Sequence, residues 1–253
     1  MSTLALLPVE WPAPAQVRAV CTLRDGGVSA GPYASFNLAA HVGDDPRAVA
    51  ANRSLLRASL VLPGEPLWLN QVHGTQVLEA DGGLGEPASP PEADAAATRT
   101  AGTVLAVMVA DCMPVLLCRR DGGAVALAHA GWRGLAAGVL EAAIGALGAG
   151  AGQIHAWLGP AIGPEHFEVG EEVRAAFCTR DARASSGFTR NARQRWQCDL
   201  HQIATQRLQS LGVGSIHGER RCTYRESGQF FSYRRDGRTG RMAALIWMQP
   251  RLA

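Results

Sequence analysis

The chain has 253 residues, of which 47% are hydrophobic and 18% charged, and its formal net charge is +2. That is enough apolar chain for a full core, and it excludes a disordered polymer. A charge balance so near zero argues against nucleic acid as a partner, and no stretch approaches the ~20 apolar residues that a membrane-spanning helix needs.

Met1-Ser-Thr-Leu-Ala-Leu-Leu-Pro8 has no basic start and too short an apolar run for a signal peptide, so a cytoplasmic location is expected. The six cysteines are scattered without a framework pattern and read as reduced thiols. Val17–Leu23 reads as a strand. The segment Tyr33 to Asp45 mixes turn residues with Asn37 and His41, both able to orient a polar ligand. It leads into a helix over Pro46–Ser59, with Asp44 or Asp45 as its cap. Leu67–Leu69 and Thr75–Glu79 are strand-like and flank Gln71-Val-His73-Gly. Asp81 to Asp94 is rich in glycine and proline and reads as a surface loop.

Thr103–Val109 is a β-branched apolar run of strand length, followed by Asp111-Cys112-Met-Pro114. The turn Asp121-Gly-Gly opens a second such run, Gly123–Ala128, which ends at His129. Gly131 and Gly134 are expected to break that strand, and a helix follows over Leu135–Leu147 with Leu135, Val139, Leu140 and Ile144 on one face. Ile154–Leu158 is the next strand, and Trp157 to Pro164 adds a rigid apolar turn that suits a flat ring. Helices are expected at Glu171–Phe177 and Leu200–Leu211, separated by a long polar loop from Thr179 to Arg195. Arg220, Arg221, Arg225, Arg234, Arg235, Arg238 and Arg241 make the C-terminal third locally basic. For most of them this reads as a solvated or ion-paired surface, with the lining of an anion site as the alternative. Ala243–Met248 closes the chain as a strand. Mixed elements without strict βαβ alternation predict an α+β fold, one domain over 1–253.

Three residues at the mouths of apolar runs carry the chemistry. His73, Cys112 and His129 offer two imidazoles and a thiolate, a set that suits zinc with a fourth position open. Taken singly, each has an ordinary reading: a hydrogen-bonded structural His, an inert core Cys. No compact signature of the Cys-x-x-Cys or His-Glu-x-x-His kind decides between these readings. Asp111 is a candidate general acid/base, or a simple turn cap. Arg133 stands at a helix start whose free N–H groups favour an anion, and it is the candidate phosphate clamp. Tyr224 and Tyr233 are candidates to face a substrate.

Pro32-Tyr-x-Ser-Phe-Asn-Leu with His-Val-Gly-Asp, Gln-Val-His-Gly, Ala-Asp-Cys-Met-Pro, Ala-His-Ala-Gly-Trp-Arg-Gly, Leu-Gly-Pro-Ala-Ile-Gly-Pro and Phe-Phe-Ser-Tyr-Arg-Arg follow one another along the chain. In that order they resemble the laccase-domain family, first called polyphenol oxidases. Its members are also described as purine nucleoside phosphorylases with adenosine deaminase activity, and in bacteria as peptidoglycan editing factors. The resemblance spans nearly the whole chain, with no departure at the ligand positions. It implies a single-domain layered α/β/α-type fold, grouped with the cysteine hydrolases, and zinc held by His73, Cys112 and His129. It also implies cleavage of adenosine, inosine and methylthioadenosine by phosphate, and hydrolytic deamination of adenosine. Zinc with three protein ligands lowers the pKa of its water to about 7, which suits attack on C6 of adenine.

The laccase label meets a physical obstacle. A multicopper oxidase needs a three-copper cluster held by many histidines, commonly in His-x-His pairs, and this chain has seven histidines and no such pair. One copper could still bind adventitiously at the same ligands, near Met113. Two rival readings stay open. In one, Cys112 is the nucleophile of a peptidoglycan-precursor hydrolase, with His129 its base and Asp111 or another carboxylate orienting it. In the other, the chain is a non-catalytic metal or nucleotide-binding module.

Overall fold

The computed structural model describes residues 4–82 and 89–250, so residues 83–88 of the expected glycine- and proline-rich loop lie outside the described residues. The chain begins with β1 (Leu6–Pro8) and β2 (Val17–Thr22), followed by α1 (Pro46–Leu60). Asp45 caps α1 by accepting the Arg47 N–H at 2.9 Å, with Pro46 at the first helical position, and Val61 ends it in the left-handed region at φ 48°. Five strands come next: β3 (Val77–Glu79), β4 (Ala95–Thr98), β5 (Val104–Val109), β6 (Met113–Arg119) and β7 (Val125–Ala130). After them lie α2 (Trp132–Ala137), α3 (Val139–Ala146), β8 (Ile154–Leu158), β9 (Glu168–Val169) and α4 (Glu171–Cys178). The chain finishes with β10 (Phe188–Arg190), β11 (Trp196–Cys198), α5 (Leu200–Ser210), β12 (Ser215–Gly218), α6 (Tyr233–Asp236) and β13 (Met242–Met248).

The strands form a six-stranded sheet in the order β12-β8-β6-β7-β4-β3 and a four-stranded sheet in the order β1-β2-β13-β5. Period-two alternation assigns each face. In β6, Met113, Val115 and Leu117 join Leu140, Ile144, Phe177 and Leu208 in a core beneath α3, α4 and α5. Leu116 and Cys118 point the other way, into a layer shared with Leu105, Val107, Ala244 and Ile246 of the smaller sheet. The outer face of that sheet, through Val104, Ala106, Leu245 and Trp247, packs on Leu56 of α1. The mixed α+β fold is therefore layered, with helices outside and two stacked sheets within. Strands covered on both faces read as unbroken apolar runs, which is why β5 and β13 were legible.

Several expectations need correction. Leu67–Leu69 makes only an isolated bridge, Leu67 to Leu105. The helix expected over Leu135–Leu147 starts earlier, at Trp132, and breaks at Gly138, whose φ of 113° an L side chain resists. Gly131 ends the strand, but Gly134 lies inside α2. The segment Thr179 to Arg195 is not loop throughout: a 3-10 turn over Ala182–Gly187 leads into β10, which pairs with β11 and so with β9 in a three-stranded sheet. The central strand β6 was not anticipated; it carries Pro114, which has no N–H to donate, at its second position. Among the described residues no helix is long and apolar enough to cross a membrane.

Candidate metal centre

The β6–β7 pairing sets two of the three candidate ligands. Its antiparallel register places Met113 opposite Ala130 and Pro114 opposite His129, with the Asp121-Gly-Gly turn at the far end. Cys112, just before β6, therefore lies beside His129, the penultimate residue of β7. His73 arrives from the loop that precedes β3. There the chain takes a left-handed conformation, φ 61° at His73. The ligand atoms of His73, Cys112 and His129 all lie within 4.8 Å of one another. Cys112 Sγ is 3.7 Å from His73 Nε2, and the two imidazole rings meet edge to face at 4.8 Å between centroids.

Asp94 holds this arrangement, and sequence reasoning missed it. Its carboxylate is fully buried and accepts four N–H groups: Val72, His73 and Gly74 from the backbone, and Nδ1 of His129 at 2.8 Å. One side chain thus orders the His73 loop and fixes the His129 tautomer, leaving His129 Nε2 for a metal. Burial works against the charge of Asp94, but hydrogen bonds from His129 and Gly74 outweigh it and hold the carboxyl below its ordinary value. A signal was available. A ligating His needs an acceptor for its other ring nitrogen, so a carboxylate beside a neighbouring strand was a candidate; Asp94 had been absorbed into the loop before β4.

The glycines of Ala-His-Ala-Gly-Trp-Arg-Gly have steric reasons. A Cβ on Gly131 would stand 2.8 Å from Cys112 Sγ and 2.9 Å from His73 Cδ2. One on Gly134 would stand 2.8 Å from the Gly74 carbonyl oxygen. Both positions keep open the space that the ligand loops fill.

Without a metal, the ligands polarise one another. Burial raises the Cys112 thiol, but the charge of His129 and hydrogen bonds from His129 and His73 prevail and bring it down to about 6. Burial lowers His129, while the Cys112 charge and the Asp94 hydrogen bond prevail and lift it to about 9. The thiolate form needed for metal binding is thus favoured near neutral pH. Two nitrogens and a sulfur, with a carboxylate behind one histidine, fit a borderline-soft ion such as zinc or copper.

The three ligands line a pocket of about 560 Å³, a size that suits a small organic ligand. Ile162, Phe167, Leu200 and Trp132 supply apolar wall, and His41, Asp111, Tyr233, Arg133, Arg234 and Arg241 supply polar groups. Asp111, at φ 91°, accepts the Thr223 hydroxyl and the Arg234 N–H, both at 2.7 Å, and so ties the pocket to the C-terminal segment. His41 is held below its ordinary pKa by burial and by the guanidinium groups of Arg241 and Arg53, so it is neutral at pH 7. Arg133 is exposed and lies over the Trp132 ring at 4.6 Å. Its helix has only six residues, so the expected support from a helix N-terminus is slight.

Two expected substrate contacts are not in the pocket. Asn37 is fully buried, and its side chain is consumed by Ala39, Asp44 and the Arg241 N–H. Tyr224 stacks on His166 at 4.4 Å, away from the pocket lining. Tyr233 does face the pocket and is 61% exposed.

Residues 18–249 match the family model described as multi-copper polyphenol oxidoreductase laccase. The chain belongs to this family. It is 52% identical over 243 residues to the purine nucleoside phosphorylase YfiH of Escherichia coli (strain K12), covering 96% of this chain and 98% of that protein. A crystal structure of a Neisseria meningitidis protein superposes with a TM-score of 0.92 at 46% identity, covering 97% of this chain and 99% of that one. The structure of YlmD from Geobacillus stearothermophilus gives 0.88 at 30% identity, covering 99% and 98%. Although the family is titled for several coppers, His73, Cys112 and His129 are the one group of three or more such side chains placed to share a metal among the described residues.

Proposed function

We propose that the chain is a zinc-dependent purine nucleoside phosphorylase, cleaving adenosine, inosine and methylthioadenosine, with adenosine deaminase activity in the same pocket. The observation that carries this reading is the convergence of a three-ligand metal set, an apolar wall and arginine side chains in one pocket, which offers a surface for a purine ring and positive charge for phosphate. The naming of the Escherichia coli relative as a purine nucleoside phosphorylase supports it. Bound zinc would supply Lewis acidity with an open coordination position. In phosphorolysis a phosphate oxygen bonds to C1′ as the C1′–N9 bond breaks, and the electron pair leaves with the purine, which takes up a proton. Ile162, Phe167 and Trp132 are proposed to flank the base, with neutral His41 and Tyr233 contacting its polar edge. Arg133 is proposed to screen phosphate at the mouth. Asp111, facing the pocket, is the proposed proton carrier in deamination. Six free cysteines agree with a reducing cytoplasmic setting.

The test combines elemental analysis with inosine cleavage, with and without phosphate, on chelated and zinc-restored protein. Stoichiometric zinc with phosphate-dependent hypoxanthine release is expected; zinc without purine turnover would refute the reading. Ammonia release from adenosine should fall in Asp111→Ala, and unchanged deamination would remove that residue from its role.

A second reading has its own observation. Cys112, His129 and Asp94 lie in sequence as thiolate, imidazole and buried carboxylate, the order of a nucleophile, its base and the base's orienter. Asp94 takes the orienting place, not Asp111. This arrangement suits a hydrolase of peptidoglycan precursors. Zinc and nucleophilic attack compete for one sulfur, so alkylation of Cys112 with and without chelator separates the readings.

A further inference from the structure

Three arginines and one carboxylate, Asp111, line the pocket, so an anion would complete its charge. The three guanidinium groups are not equivalent. Arg133 is exposed and rests on Trp132, while the exposed Arg234 donates to the Glu168 carbonyl at 2.9 Å and lies 5.2 Å from the centre of the Phe167 ring. Arg241 is half-buried, and its segment is pinned. Its N–H donates to Asn37 Oδ1 at 2.9 Å, and its carbonyl accepts from Leu38. Gly240 packs so closely that a Cβ there would stand 2.7 Å from the Phe231 ring and 2.9 Å from Asn37 Cβ.

The Arg241 side chain is also partly committed. One terminal nitrogen donates to the carbonyls of Thr239 and Gly240 at 2.9 and 3.0 Å. Among the described residues, Nε and the other terminal nitrogen have no acceptor, and no carboxylate lies within ion-pair distance. Two parallel N–H groups on one edge of a guanidinium match two oxygens of a tetrahedral oxyanion. Because the backbone and half the guanidinium are already held, little conformational entropy is lost when the anion arrives. Arg241 shares the pocket with Cys112 and His129, so an anion held there lies beside the metal set.

We propose that Arg241 forms the inner phosphate subsite of this pocket, presenting Nε and its free terminal nitrogen as a fork to the inorganic phosphate that attacks the nucleoside. The proposal rests on the phosphorylase reading and makes Arg241, rather than Arg133, the residue that sets phosphate affinity. Asn37 then acts indirectly, as a positioning residue for Arg241.

The experiment measures the phosphate KM at saturating inosine, and the thermal shift caused by inorganic phosphate, for wild type, Arg241→Gln, Arg241→Lys and Arg133→Gln. Loss of two charge-assisted hydrogen bonds should raise the phosphate KM about ten- to a hundredfold in Arg241→Gln. Inosine KM and zinc content should change little, and the phosphate-induced thermal shift should disappear. Arg241→Lys should recover part of the affinity, since it keeps the charge without the fork. An unchanged phosphate KM in Arg241→Gln, or a larger rise in Arg133→Gln, overturns the assignment. If wild type cleaves no inosine with phosphate, the phosphorylase reading fails by itself. The thermal shift then decides the anion site: its loss in Arg241→Gln supports the site, and its persistence refutes it.

Discussion

Replacing Asp94 by Asn removes one charge and reverses half of a hydrogen-bond set while hardly changing shape. Oδ1 of Asp94 accepts from His73 N–H at 2.9 Å and His129 Nδ1 at 2.8 Å; Oδ2 accepts from Val72 at 3.1 Å and Gly74 at 2.6 Å. An Asn oriented to keep the histidines would turn its NH₂ against the Val72 and Gly74 N–H groups, leaving two donors without an acceptor. At about 1–3 kcal/mol for each unsatisfied buried group, the apo protein should lose about 2–6 kcal/mol. The opposite flip keeps the acceptor for Val72 and Gly74 but opposes both the His73 N–H and His129 Nδ1–H, so the ring loses its fixed tautomer. Either way, metal affinity should fall about ten- to a hundredfold, the usual cost of removing a partner behind a ligating histidine. Zinc competition against a chromophoric chelator reads the affinity, and thermal melts of the metal-free protein read the stability. Wild-type zinc affinity in a folded Asp94→Asn variant would refute the idea that Asp94 orders the site.

Gly131→Ala should abolish stoichiometric metal binding while far-UV circular dichroism stays native, because the new methyl falls on Cys112 Sγ and the His73 ring. Metal retained at one per chain would mean the ligand loops relax. In chelated protein, iodoacetamide should modify Cys112 with a midpoint at about pH 6, not near 9, and zinc should protect it. The linked stability follows in sign: Cys112 lies below its unfolded value, so its contribution is lost as pH falls through about 6. His129 lies above its unfolded value, so its contribution is lost as pH rises through about 9. Between about pH 6.5 and 9 the two contributions change in opposite senses and offset, so melts of chelated protein should be nearly level there, and Cys112→Ser, which removes the rising contribution, should tilt the profile.

The sequence by itself determined the elements whose signal is local. Pro46 behind Asp45 marks a helix start, and the unbroken runs of β5, β7 and β13 mark strands covered on both faces. It also singled out His73, Cys112 and His129, because thiolate and imidazole at strand mouths carry their chemistry in their type. Only the tertiary structure decided what depends on partners far along the chain. The strand that contains Pro114 was decided only by the pairing of β7 and β8 with β6 on either side. Asn37 looked like a ligand contact until Arg241, two hundred residues away in the chain, claimed its oxygen. Asp94 looked like a loop residue until parallel pairing of β3 with β4 drew the His73 loop across its carboxylate. Propensity and periodicity act over a few residues, whereas a buried carboxylate or guanidinium takes its role from whichever donors and acceptors the folded layers bring to it.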